Sequence, residues 1–361
     1  MFNFSQLQGI HLEITNNCQA KCPMCSRNHH GGMINPLIEI TEWSFDDFKA
    51  IITQEVLDQI NSIYFCGNFG DPLLNKDLIK MCQYVRDSSD VSIRIHTNAS
   101  LRNSQWWREL AKSLPKEHMV IFGIDGLADT HSKYRIGTNY NTIIKNARTF
   151  ISNGGRAEWA FIVFKHNQHQ VLEAKKIAKE IGFEKFTIKH SNRFLKEPKF
   201  EVYDSTGKTV DILEPSSETP IKFLDRKAIK DYRKMVNDSE IECHALKMKE
   251  IYIDANKNLM PCCFLASAPY NYSPPEDAIS EVRMHILEQH NKLIDELGCT
   301  STLEKSIKEI INLKSYQTVW DKYWSTDKLV ICARTCGKNK FSKPKDQFIE
   351  RKILKGNDRC L

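Results

Sequence analysis

Three cysteines crowd into the segment Cys18-Gln-Ala-Lys-Cys22-Pro-Met-Cys25. Three thiolates spaced so closely can wrap one small metal centre. Zinc is one possible occupant: a structural zinc takes four protein ligands, and His29 or His30 stands near enough in sequence to supply the fourth. A second group lies far along the chain, at Cys243, Cys262, Cys263, Cys332, Cys336 and Cys360. Twelve cysteines is a high count, and residues 1–9 lack the basic-then-apolar pattern of a secretory signal. In a reducing compartment such cysteines are metal ligands or catalytic groups more often than disulfides. Their separation into two groups suggests two metal sites.

Composition sets the outer limits. The chain has 361 residues, which suits one large or two moderate domains. It is 41% hydrophobic and 27% charged, which is ordinary for a soluble globular protein and enough for a buried core. No run of 18 apolar residues occurs, which excludes a membrane-spanning helix. The expected location is the cytoplasm. Residues 328–361 hold ten Lys or Arg against three acidic residues, a local charge of +7 in a chain whose total is +6. This end is either a solvated tail or a docking face for an anionic partner, such as an acidic electron carrier or a phosphate-bearing substrate.

The elements that must position these cysteines are legible in the first 195 residues. Short β-branched runs at 10–15, 62–66, 91–96, 120–124, 157–164 and 185–189 read as strands. Between them lie amphipathic helical patterns near 45–57, 75–87, 104–113, 140–153 and 168–181. Ser44 with Asp47 reads as a capping box, and Gly154-Gly155 and Gly182 read as helix stops. Alternation of strand and helix implies parallel pairing through right-handed crossovers, hence an α/β partial (β/α)6 barrel or doubly wound sheet over 1–195. Residues 196–224 are polar and turn-rich and read as a linker. From 225 to 361 the pattern predicts a small cysteine-rich α+β domain. It comprises a helix near 225–236, a β-hairpin over 251–263 and a helical insert at 277–323.

The spacing of Cys18, Cys22 and Cys25 resembles that of radical S-adenosylmethionine (SAM) enzymes. Three further segments resemble that family in order. Gly67-Asn-Phe-Gly70-Asp71-Pro72 follows the second strand, where the family has Gly-Gly-Glu-Pro. Asp71 stands in place of Glu and Phe69 in place of the first Gly of that segment. His96-Thr97-Asn98-Ala99 follows the third strand, where the family has Thr-Asn-Gly. Ile124-Asp125-Gly126, with His131 and Arg135 beyond it, resembles the stretch after the fourth strand, and Asn167 follows the fifth. The resemblance implies a [4Fe–4S] cluster on Cys18, Cys22 and Cys25, with one iron left open to chelate SAM. It implies SAM contacts from Gly70, Asp71, Thr97, Asn98, Asp125, Arg135 and Asn167. An electron delivered to such a cluster cleaves the sulfonium and yields a 5′-deoxyadenosyl radical, and thiolate-held clusters reach the low potential this needs.

The second cysteine group resembles the twitch and SPASM extensions of that family, in which a cysteine before a hairpin, one after it and a downstream pair bind an auxiliary [4Fe–4S] cluster. The ligands this implies are Cys243, Cys262, Cys332 and Cys336, with Cys263 or Cys360 as substitutes; a zinc ribbon on the same four is the alternative. Cys66 and Cys82 read as small buried hydrophobes; the resemblance to radical epimerases offers Cys66, Cys299 or a non-ligating Cys263 as an alternative thiol that returns a hydrogen atom to a substrate radical. His29-His30-Gly31-Gly32 reads as a loop or a lid over SAM. Trp106-Trp107 reads as packing.

The implied reaction is hydrogen-atom abstraction from a small molecule or a peptide, followed by oxidation or epimerisation. The implied electron donor is a flavodoxin or ferredoxin. The first strand begins about ten residues in, so no leader-peptide domain is expected ahead of it. Two rivals remain. One is an RNA-modifying enzyme of the same superfamily, though no RNA-binding module or interleaved aromatic–basic stripe is present. The other is a non-catalytic zinc or iron–sulfur protein.

Overall fold

A computed structural model describes residues 1–191, 193–194, 198–217, 232–270 and 280–338. Six strands lie side by side in chain order, all parallel: β1 (Gly9–Leu12), β2 (Ser62–Phe65), β3 (Ser92–Thr97), β4 (His118–Gly123), β5 (Ala157–Val163) and β6 (Lys185–His190). Helices fill the crossovers, including Leu78–Ser88, Ser104–Ser113, Tyr140–Ser152 and Val171–Ile181. The Ser44–Asp47 capping box opens the helix Phe45–Ile51, and Gly182 closes Val171–Ile181 in the left-handed conformation. The expected helix over 45–57 is two helices, Phe45–Ile51 and Gln54–Gln59. The chain turns extended at Thr53, which occupies the N-cap position of the second.

The two faces of this sheet differ. Ile10, Leu12, Ile63, Phe65, Ile93, Ile95, Val120, Phe122, Trp159 and Phe161 point to one side and form the main core with the helices. The alternate residues face the other way. Register aligns His11 with Tyr64 and Tyr64 with Arg94, and runs His96, Ile121, Glu158 and Lys185 in a second row. A parallel sheet is ordinarily apolar on both faces. Here the second face has only a small apolar cluster of Tyr64, Ile121 and Ala160, edged by Cys66 and Met119.

Two features were not foreseen. The segment read as a linker contains an antiparallel hairpin of β7 (Phe200–Tyr203) and β8 (Thr209–Leu213). Its turn residues were visible, but its strands are short and mostly exposed on β8, so no alternation signalled them. The later hairpin, β9 (Glu250–Ile253) and β10 (Leu259–Met260), does not form a sheet of its own. β9 pairs in parallel with β1, from Gly9 beside Glu250 to Leu12 beside Ile253, and β10 forms the outer edge. The core is likewise continuous: Ile251, Leu293, Ile310, Tyr316, Trp320 and Ala333 belong to the same buried cluster as Ile10 and Phe65. The helical stretch expected at 277–323 appears as Ser280–Leu297, Ile307–Asn312 and Lys314–Ser325. Cys360 and most of the basic end lie outside the described residues. No helix among the described residues is long and apolar enough to cross a membrane.

Candidate active site

The loop after β1 carries the first three cysteines, and buried polar groups fix its path. Arg27 is buried; its Nε donates to the Asn16 carbonyl at 3.1 Å and its Nη2 to Asn17 Oδ1 at 3.3 Å. The Asn16 side chain bridges to Glu39 and Thr41. Gly70 passes so close beneath that a Cβ there would stand 1.8 Å from the Thr15 carbonyl oxygen. Cys18, Cys22 and Cys25 then enter one apolar cluster with Met24, Tyr134, Phe164, Val202 and Leu213. The last two come from the β7–β8 hairpin, which therefore covers the cysteine loop from one side. His30 reinforces that cover, stacking on Phe200 and on Tyr203 with centroids 4.4 Å apart in each case.

Burial pushes the Cys22 thiol up to about 11, against the pull of Arg135. Burial also drives Cys18 far above the ordinary thiol range, with the charges of Asp71 and Cys22 adding to it. Cys18 and Cys22 thus resist ionisation when bare, and a metal charge beside them would compensate their thiolates.

Asp71 is the hub of the neighbouring polar site. It is buried, and its carboxylate accepts from the Thr97 hydroxyl at 2.8 Å, the Asn98 backbone at 2.8 Å, the Asn98 side-chain amide at 2.6 Å and the Leu73 backbone at 3.0 Å. Burial raises its pKa, and these hydrogen bonds oppose the rise. Asn98 continues the chain of contacts: it receives the Gln19 amide at 2.7 Å, and its own amide lies 3.7 Å from Cys18 Sγ. Asp71, Thr97 and Asn98 are thus one unit beside Cys18, with the Asp71 oxygens already engaged.

Asp125 and Arg135 form a second unit. Asp125 is fully buried; it pairs with Arg135 Nε at 2.6 Å and accepts from the Ile162 backbone at 2.6 Å. Arg135 Nη1 is 4.0 Å from Cys22 Sγ, placing a cation beside the cysteine loop. A Cβ on Gly123 would meet Arg135 Nη2 at 2.6 Å, so the missing side chain makes room for this arm. His131 accepts from the Asp125 backbone through Nδ1 and donates to Thr138 through Nε2; burial lowers its pKa to about 3, so it is neutral. Asn167 is spent locally, on Phe164, Asp125 and Ile162.

Residues 12–169 match the radical SAM superfamily. The chain carries a radical SAM domain. That superfamily implies a [4Fe–4S] cluster and SAM. The donor set here suits that pair: three thiols share one apolar niche with a cation beside one sulfur and an amide beside another. As the side chains stand, no three His, Cys, Asp or Glu among the described residues form a closed ligand set.

Two curated relatives match in part. The PqqA peptide cyclase of Bradyrhizobium diazoefficiens is 30% identical over 132 residues, 34% of this chain and 31% of that protein. The tungsten-containing aldehyde ferredoxin oxidoreductase cofactor-modifying protein of Pyrococcus furiosus is 26% identical over 129 residues, 36% of this chain and 33% of that protein. The matches span about a third of these relatives. Among solved structures, native anSMEcpe with bound AdoMet superposes with a TM-score of 0.53 at 13% identity, over 96% of this chain and 97% of that one. That likeness concerns the fold.

The radical SAM domain also holds polar groups that the sequence reading missed. Glu13, just beyond β1, is buried and accepts from the Phe69 backbone at 2.8 Å, the Gly70 backbone at 3.0 Å and the Tyr252 hydroxyl. It joins the loop after β2 to β9. Burial raises its pKa to about 7, despite those hydrogen bonds. On the polar face of the sheet, Tyr64 and His96 are hydrogen-bonded at 3.1 Å, and the His11 ring lies between Tyr64 and Tyr252. The signal in sequence was the alternation Ile10-His11-Leu12-Glu13-Ile14, which puts polar groups on one face of a central strand.

Beyond the domain, Cys243, Cys262, Cys332 and Cys336 line one pocket, walled by Leu265, Trp320, Trp324 and Ile331. Its free volume is about 20 Å³, close to one water. Cys263 is not among its lining residues; it sits at the start of the helix Cys263–Ala266, and its carbonyl accepts from Asn68 at 2.8 Å. Cys82 is fully buried in the core, Cys66 is half-buried on the polar face, and Cys299 is half-buried beside Ser301 and Glu304. Trp107 is core and Trp106 lies under Arg102.

Proposed function

We propose that this chain is a radical SAM enzyme whose Cys18, Cys22 and Cys25 hold the SAM-binding [4Fe–4S] cluster. The observation that carries the reading is the convergence on the cysteine loop: the Asp71–Thr97–Asn98 unit meets it at Cys18 and the Asp125–Arg135 pair meets it at Cys22. When bound, the cluster and SAM supply reductive cleavage of the sulfonium and a 5′-deoxyadenosyl radical. The protein's own residues do the rest. Asp71 holds Thr97 and Asn98 in place beside Cys18, Arg135 offers a cation toward the carboxylate of SAM, and the β7–β8 hairpin keeps water from the cysteine loop.

Cys243, Cys262, Cys332 and Cys336 are proposed as ligands of one auxiliary [4Fe–4S] cluster; it would accept the electron lost where the substrate radical is oxidised, whereas epimerisation, being redox-neutral, would need no such acceptor. Their shared cavity supports a common metal. A zinc ion on the same four thiols is the second reading for this site alone; either metal requires the side chains to rearrange, since they form no closed ligand set as they stand. The substrate is proposed to be a peptide or a small molecule, since one partial relative is a peptide cyclase and the other a cofactor-modifying protein. A flavodoxin or ferredoxin is proposed as electron donor.

Anaerobic reconstitution followed by iron, sulfide and zinc analysis, with a search for 5′-deoxyadenosine on adding SAM and dithionite, tests these assignments together. About eight irons with SAM cleavage is the expected result. About four irons with zinc selects the second reading for the distal site, and absence of SAM cleavage refutes the enzyme. Replacing Cys18, Cys22 and Cys25 by Ala is expected to abolish 5′-deoxyadenosine. Replacing Cys332 or Cys336 is expected to lower metal content while SAM cleavage persists.

A further inference from the structure

The polar face of the sheet carries an unequal set of charges. Side chains alternate along a strand. Phe186 packs on Trp159 and Phe161 in the main core, so Lys185, Thr187 and Lys189 of β6 face the other way. Glu158 of β5 and Arg94 of β3 lie on that same polar face, in contact with each other. Arg94, Lys185 and Lys189 are therefore three cations on one surface. Glu158 is the only acidic residue in β1 to β6. It accepts from the Thr187 hydroxyl at 2.7 Å. Lys185 Nζ stands 3.5 Å from it and Arg94 Nη2 3.7 Å, both longer than an ordinary hydrogen bond. Glu158 Oε2 and Arg94 Nε are buried without a hydrogen-bond partner.

Position along the strands gives this charge a direction. Lys189 lies four residues beyond Lys185, about 13 Å nearer the strand ends from which the cysteine loop departs. It pairs in register with Ile162, whose backbone N–H donates to Asp125. The acids at those strand ends are already engaged. Asp125 pairs with Arg135, Asp71 accepts from Thr97, Asn98 and Leu73, and Glu13 accepts from Tyr252, Phe69 and Gly70. Burial, then the charges of Lys189, Arg135 and Arg94, push the His96 pKa well below its usual value, so this ring stays neutral among them. Half-buried cations that outnumber their acids are balanced when an anion enters. A guanidinium suits carboxylate and phosphate alike, through its planar fork of donors.

We propose that Arg94 and Lys189 bind the substrate, and that the group they take is an anion, a carboxylate or a phosphate. Glu158 and Thr187 are positioning residues: Thr187 holds Glu158, and Glu158 holds Arg94 and Lys185 by charge. The inference rests on the radical SAM reading, because it concerns the substrate of that site. It narrows a peptide or small molecule to one that carries an acidic group. A substrate without one leaves the cations of this face unbalanced.

The test uses the full chain, anaerobically reconstituted and saturated with SAM so that the SAM site is filled. Glutarate and pyrophosphate are the probes and glutaramide is the uncharged control, each titrated by calorimetry. Wild type is expected to bind at least one of the two anions saturably and glutaramide not at all. Binding of glutarate alone selects a carboxylate, and binding of pyrophosphate alone selects a phosphate. Arg94→Gln and Lys189→Gln are each expected to weaken that binding by about tenfold or more, the scale of a lost charged contact. Failure of both anions to bind wild type overturns the inference. So does binding that survives at full strength in a folded variant, which marks an adventitious anion only. Where urea unfolding shows that Arg94→Gln does not fold, Lys189→Gln decides, because the ion pairs of Glu158 are with Arg94 and Lys185. Wild type that forms no 5′-deoxyadenosine with dithionite fails the radical SAM reading itself, a result separate from the anion titrations.

Discussion

The Asp71 carboxylate accepts the Asn98 side-chain amide at 2.6 Å, and so ties the loop after β2 to the loop after β3. The same carboxylate takes the Thr97 hydroxyl and two backbone N–H groups. Its acceptor positions are filled from within the protein, so it orients the SAM site by holding other residues. Asp71→Ala leaves those donors unpaired and is expected to weaken SAM binding by about 10–100-fold, the usual scale for a supporting contact. Asp71→Glu is expected not to rescue, because an added methylene in a filled site costs about 1–3 kcal/mol. Equilibrium dialysis of SAM against reconstituted protein measures both. A Glu variant that binds as tightly as wild type would mean that Asp71 contacts SAM directly.

The Asp125–Arg135 pair gives a separate prediction about folding. Asp125 is inaccessible to water, and the 2.6 Å contact with Arg135 compensates its charge. Removing one partner of such a pair typically costs about 3–5 kcal/mol, since a bare charge is left behind. Arg135→Leu is expected to lose that much in urea unfolding. The double variant Arg135→Leu with Asp125→Asn is expected to recover part of it. Equal losses in the single and double variants would show that the charge of Asp125 is not what the arginine serves.

The β7–β8 hairpin is predicted to protect the first metal centre. Leu213 and Val202 are both almost inaccessible and pack in the cluster that contains Cys22 and Met24. Truncating a buried leucine leaves a cavity and costs about 2–5 kcal/mol; here the cost falls on a small hairpin, which opens locally before the core does. Leu213→Ala is therefore expected to speed air-driven loss of visible cluster absorbance several-fold. An unchanged decay rate would mean that oxygen reaches the cysteine loop by another route.

Much of the molecule was legible in the sequence. Strong alternation of apolar runs and turn signals marked β1 to β6 within a few residues, and the helices between them had clear caps. The candidate site was legible where spacing is local, as at Cys18, Cys22 and Cys25. What escaped depends on pairing between distant segments. Nothing in 250–253 announces that β9 will lie against β1, because its burial pattern serves either an isolated hairpin or a sheet edge. The β7–β8 hairpin was hidden by its polar, exposed outer strand. Glu13 escaped because one acidic residue beside an apolar strand gives no hint of its partners. Phe69, Gly70 and Tyr252 come from two remote places in the chain.

Glu13 also has a consequence for pH dependence. Its carboxyl titrates near 7 in the folded chain against 4.5 when unfolded, chiefly because it is buried. The raised value means that the folded state holds the proton more tightly. At pH below about 4.5 both states are protonated and this group does not limit stability. Between about 4.5 and 7 the unfolded chain releases the proton first, and stability falls as pH rises. Above about 7 the loss is complete, and it amounts to roughly 3 kcal/mol. Glu13→Gln keeps a carbonyl oxygen for Phe69 and Gly70 and carries no charge. It is expected to remove this downward slope, leaving the variant at least as stable as wild type at pH 8. Urea unfolding from pH 5 to 8 reads the slope directly. If wild type and Glu13→Gln run parallel across that range, Glu13 ionises normally and its contact with Tyr252 is the ordinary bond of an ionised carboxylate.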